Sequence, residues 1–185
     1  MHGSLRRTAA VLFVLGGILG TVGLAVIQFG DSSAATVAAV ANVAALAAIG
    51  AGLVLFGVHL RPLRPRLWGD AVLAAAGVVA LLGVLAAIWN DQGEAGQVTA
   101  LLVVYGWPLL ALLGAVAVAA TRSIEGAQRW VLLAPTIVWF ITLPLAVVAA
   151  AGAWWITSLV AQLAYAAAGV VLARDRTRTP ATTAA

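Results

Sequence analysis

Apolar residues fall in six long runs along this chain, each parted from the next by a short polar or charged segment. A helix rises about 1.5 Å per residue and a bilayer core is about 30 Å thick, so roughly 20 apolar residues make one crossing. The first run spans Thr8 to Phe29 and is followed by the turn Gly30-Asp31-Ser32-Ser33. The second, Ala34 to Leu60, is the longest of the separate runs and can tilt. The third runs from Asp70 to Trp89, with Asp70 placed where an acid favours a helix amino terminus. Asn90 to Gln97 is an acidic, glycine-bearing loop, hence solvent-exposed. The fourth run, Val98 to Ala120, contains Trp107-Pro108, and Thr121 to Arg129 is a basic loop. Trp130 to Ala173 carries no charge. As one helix it would extend roughly 65 Å, about twice the hydrocarbon thickness, so it must fold back. The best turn is Ala150 to Ala153, with Gly152 as breaker. The expected architecture is all-α: a polytopic membrane bundle of six transmembrane helices over 1–173, followed by a polar, disordered cytoplasmic tail over 174–185.

The loop His59 to Asp70 orients the rest. It holds Arg61, Arg64 and Arg66 with Pro62 and Pro65, so it can neither sit in hydrocarbon nor continue a helix. Short arginine-rich loops stay on the cytoplasmic side. With six spans, the other arginines (Arg6, Arg7, Arg122, Arg129, Arg174, Arg176 and Arg178) join that side, while Asp31, Asp91 and Glu94 fall on the other. An odd number of spans would mix them. The expected location is therefore the cytoplasmic membrane, with both termini in the cytoplasm. Trp68 and Trp130 are expected at the inner interface and Trp89, Trp154 and Trp155 at the outer one. Arg6-Arg7 before an apolar run resembles the start of a signal peptide, but Thr8 to Phe29 exceeds a secretory core of about 7 to 15 residues and reads as a retained span.

Composition agrees with the pattern: 64% of residues are hydrophobic and 9% charged, with a mean hydropathy of +1.09. The net charge of +4 is dispersed among loops, which argues against a nucleic-acid partner. Cysteine is absent, removing disulfides and thiolate chemistry. Lysine is absent and alanine abundant, the composition of a GC-rich prokaryotic genome.

Helix association in lipid depends on close backbone approach at small residues. Gly16, Gly20 and Gly23 make one such stripe, Ala41, Ala45, Ala48 and Gly52 a second, and Ala76, Ala80, Gly83 and Ala87 a third. Each pair of runs also opens near an arginine: Arg7, then Arg66 with Trp68, then Arg129 with Trp130. The layout suggests three repeated helical hairpins. Gly16-Gly17-Ile18-Leu19-Gly20, and Leu67-Trp68-Gly69-Asp70 through Gly77 and Gly83, resemble the HdeD acid-resistance membrane family over residues 8–89. That resemblance implies six helices and no defined catalytic chemistry. Leu133-Ala134-Pro135-Thr136 departs from it, standing where glycines would be expected.

Candidate chemistry is sparse. Metal or haem binding needs several inward imidazoles or carboxylates, and the chain has only His2 and His59. His59 reads as a helix-end residue favouring the dipole and snorkelling. None of the six acids falls mid-span, which argues against a proton-driven antiporter. Paired aspartates, a serine with a basic partner and a zinc motif are missing, so no intramembrane protease is expected. Asp70, Glu125 and Asp175 are too dispersed for the metal of a headgroup transferase. What remains is an uncharged polar set at membrane depth: Asn42, Tyr105, Thr136, Thr142, Gln162 and Tyr165, with Trp107 and Trp139. Asn42 and Gln162 fall in the outer half and the two tryptophans near the midplane.

Two readings follow. In one, amides and hydroxyls bond between helices, at about 0.6 kcal/mol each, in a non-catalytic protein with a structural or stress-related role. Its partners are the lipid bilayer and either another copy of itself or a second membrane protein, with no cofactor. In the other, Asn42, Tyr105, Trp107, Trp139, Gln162 and Tyr165 line a pore or pocket for a small uncharged solute, with Pro108, Pro135 and Pro144 opening backbone carbonyls.

Overall fold

The computed structural model describes residues 2–30, 34–60, 68–89, 105–120, 129–148 and 154–174. The described residues form six α-helices: α1 His2–Phe29, α2 Ala35–Leu60, α3 Trp68–Trp89, α4 Trp107–Ala120, α5 Leu133–Val148 and α6 Trp154–Arg174. Four of them, α1, α2, α3 and α6, are long and apolar enough to cross a membrane. α4 and α5 are shorter over the described residues, and the start of the expected fourth run (98–104) lies outside them. So do the arginine loop (61–67), the acidic loop (90–97), the expected turn at 150–153 and the tail beyond 174.

Local chemistry explains most boundaries. α1 begins at His2 rather than Thr8, because arginine is a good helix former and Arg6 and Arg7 simply extend the first turns. It closes at Gly30, whose amide donates to the Val26 carbonyl at 2.9 Å. Asp70 occupies the first turn of α3 and His59 the last turn of α2, each on the favourable side of the helix dipole. Tyr105 and Gly106 form a wide, π-type turn just before Pro108 in the first turn of α4, where a missing N–H is tolerated. Trp130 is not the start of α5: it lies in a turn, with the Leu133 amide donating to its carbonyl at 3.0 Å, and Pro135 sits in the first helical turn that follows.

Each helix packs on the next in sequence, and α6 returns to α1, closing a ring. Neighbours run antiparallel. Along α1 and α2, Gly16 lies against Ile49, Gly52 against the Phe13 ring and Gly23 against Asn42. Where α2 meets α3, a β-carbon on Gly77 would strike the Gly50 carbonyl and the Val54 amide, and one on Gly57 the Asp70 carbonyl and the Ala74 amide. Where α6 meets α1, a β-carbon on Gly17 would strike the Gln162 carbonyl and the Ala166 amide, and one on Gly169 the Ala10 carbonyl and the Val14 amide. These contacts let backbones approach as few other residues would allow. They also gather Arg6, Arg7, Arg129 and Arg174, all the arginines among the described residues, at one end of the ring.

Candidate functional site

One buried apolar cluster draws on all six helices or their first turns, with Phe13, Leu53, Leu73, Ala111, Leu132 and Tyr165 among its members. Phe13 and Tyr165 face each other across the α1–α6 seam with ring centroids 6.0 Å apart. Burying such rings is favourable in itself, and a tilted pair adds about 1 kcal/mol.

Around this cluster, the candidate polar residues divide into separate groups. Gln162 and Asn42 flank α1. The Gln162 amide occupies the space a β-carbon on Gly20 would take, and the Asn42 amide does the same at Gly23, so two notches on one helix receive carboxamides from either side. Gln162 is only 9% exposed, and its Oε1 is buried without a hydrogen-bond partner. Tyr165 lies on the same face of α6, 1% exposed, and its hydroxyl also has no partner. Trp107 and Trp139 belong to α4 and α5, where their rings pack at 5.9 Å. Trp139 Nε1 is buried without a partner. Tyr105 stands apart, 44% exposed.

The threonine hydroxyls are otherwise engaged. Thr136 Oγ1 donates to the Leu132 carbonyl at 2.7 Å and Thr142 Oγ1 to the Val138 carbonyl at 2.9 Å, both within their own helical stretch. Such back-bonding satisfies the hydroxyl without linking helices.

A second polar group lies at the arginine end. Arg6 is 8% exposed, with Nε and Nη1 buried and unpartnered. The register that sets Gly16 against Ile49 and Gly23 against Asn42 puts Arg6 level with His59. His59 is buried rather than snorkelling outward, its ring 6.3 Å from Phe56, and Asp70 is buried near the same level on α3. Reading Arg6 only as a topology charge misses this. The helical repeat that links Gly20, Gly16 and Phe13 continues to Arg6, and that periodicity is the signal of its burial. Nearby, Arg129 Nε donates to the Ala119 carbonyl at 2.6 Å, closing the end of α4, and its guanidinium lies 4.6 Å from the Trp130 ring centroid.

Chemically, the amides of Asn42 and Gln162, the Tyr165 hydroxyl and the Trp139 indole are neutral hydrogen-bonding groups, whereas Arg6, His59 and Asp70 are the buried ionisable ones. Among the described residues no group of three or more histidines and acids is gathered to hold a metal ion. Comparison with family models, curated proteins and solved structures finds no match to this chain. Its functional reading therefore rests on the geometry above.

Proposed function

We propose that this is a non-catalytic, multi-pass protein of the prokaryotic cytoplasmic membrane, acting through packing in the bilayer in a structural or stress-related role. The observation that carries this reading is the single buried apolar cluster shared by the helices and the turn leading into α5. A conduit needs a path lined by polar groups, whereas here the candidate polar residues divide among separate seams.

In this reading all six helices span, and the ring is three helical hairpins, α1–α2, α3–α4 and α5–α6. Burial along α1 from Ala9 repeats residue for residue along α3 from Gly69, as far as Gly23 and Gly83. The contacts of Gly17 and Gly169 at the α6–α1 seam match those of Gly77 and Gly57 at the α2–α3 seam. Equivalent seams are what repeated hairpins would produce. The clustering of the described arginines at one end supports a cytoplasmic orientation for both termini. The lipid bilayer is the first partner, with a second copy or another membrane protein as the next.

A second reading, a facilitator for a small uncharged solute, is favoured by one observation: Gln162 Oε1, Tyr165 OH and Trp139 Nε1 are buried without partners. Unsatisfied polar groups in an apolar interior are costly and invite a ligand. Solute flux in proteoliposomes, for wild type and for Asn42→Leu and Gln162→Leu, separates the two. No flux across a broad panel of neutral solutes is expected. Selective flux lost in both variants would replace the structural reading by the conduit.

A further inference from the structure

The seam between α1 and α6 carries a feature that the packing role does not use. The close approach at Gly169 draws the two backbones together, and beside it opens a groove of about 240 Å³. Its walls are apolar: Val11 and Val14 with Ala10 from α1, Val170 and Ala173 from α6. One charged residue joins the lining, Arg174 at the end of α6. Arg7, exposed, precedes Val11 by one helical turn and so stands on the same face of α1 at the same end. An apolar trough that ends in guanidinium groups has the amphipathic pattern of a phospholipid: chain along the trough, phosphate at the charged end.

We propose that this groove holds an acyl chain of an anionic phospholipid, with its phosphate met by Arg174 and Arg7. The choice of an anionic lipid follows from charge. Arginine at a membrane surface attracts anionic headgroups, and a planar guanidinium can hold a phosphate by two parallel hydrogen bonds. A neutral zwitterionic lipid could fill the trough, but its headgroup would bring a third cation to the two arginines. The groove rests on the membrane reading, since a lipid chain reaches it only where the seam faces hydrocarbon.

The test uses the full chain in phosphatidylcholine vesicles containing a minor share of phosphatidylglycerol. Flotation with the vesicles is measured first. The protein is then extracted gently, and the lipids that remain bound are counted by native mass spectrometry. Wild type is expected to float and to retain phosphatidylglycerol in preference to phosphatidylcholine. Arg7→Gln and Arg174→Gln should each lower that preference about fivefold. Ala173→Trp, which fills the groove from an exposed position and leaves every arginine in place, should abolish it. Val170→Trp repeats the filling from a second exposed position, so the result does not hang on one variant folding. Flotation with equal retention of both lipids overturns the groove alone. So does an arginine effect without a filling effect, which assigns the lipid to general surface charge. Failure to float overturns the membrane reading and the groove together.

Discussion

Gly17 on α1 lies directly against the backbone of Gln162 on α6, so that a β-carbon at position 17 would run into the Gln162 carbonyl oxygen and the Ala166 amide. Backbone atoms cannot swing away, and relief would require the two helices to separate. Gly17→Ala should therefore weaken the bundle by about 1 to 3 kcal/mol, the usual range for overpacking. Gly20, three residues on, faces the Gln162 side-chain amide, a flexible group that can turn aside. Gly20→Ala should lose less than half as much. Denaturant titration of both variants in the same detergent, followed by circular dichroism, reads the difference. Equal losses would mean that the seam is looser than its geometry implies.

Tyr165 makes a contrasting case. Its ring packs on Phe13, but its hydroxyl is buried and unpartnered. A buried group left unsatisfied costs about 1 to 3 kcal/mol, whereas the ring contact survives loss of the oxygen. Tyr165→Phe should leave stability unchanged or raise it by about 1 kcal/mol. A clear loss of stability would reveal a partner for the hydroxyl.

Arg129 closes α4 from outside the helix, donating from Nε to the Ala119 carbonyl while its guanidinium covers the Trp130 ring. Together a charge-assisted hydrogen bond to an orphan carbonyl and an exposed cation–π contact are worth about 1 to 2 kcal/mol. Arg129→Met keeps the aliphatic stem and loses both. Unfolding monitored by tryptophan fluorescence should shift by that amount, with Arg129→Lys falling between. A variant as stable as wild type would relegate the contact to decoration.

Orientation is directly measurable because the sequence contains no cysteine. Single cysteines at Ser4 and Glu94, treated with a membrane-impermeant maleimide on intact cells, should respond differently: Glu94→Cys labelled, Ser4→Cys labelled only after lysis. Equal accessibility at the two sites would break the six-span arrangement.

Much of the helical layout was legible in the sequence. The ends of α2 and α3 fall within two residues of the positions set by run length and flanking charge. The glycine stripe of α1 was visible as well, and Gly16, Gly20 and Gly23 all lie in contact with α2 or α6. Ring closure was not legible, since periodicity within one helix says nothing about which distant helix covers its other side. The burial of Arg6 was missed because its charge was weighed for topology alone, and that of His59 because a histidine at a helix end was expected to snorkel, neither being weighed for the face it occupies. Thr136 and Thr142 looked like inter-helix glue, yet the carbonyl of the preceding turn is always within a threonine's reach and takes the hydroxyl first. The polar candidates were chosen by depth, which is blind to angle around the ring. That is why Tyr105 points outward while Gln162 and Tyr165 point in.

Because α6 docks on α1 with the same contacts that join α2 to α3, these two helices meet as ordinary neighbours, and the start of α1 lies beside the end of α6 among the arginines. Among the described residues, the glycine contacts of that seam are those of an internal one. A gene cut within residues 61–67 and spliced tail to head should still encode the same annulus of helices.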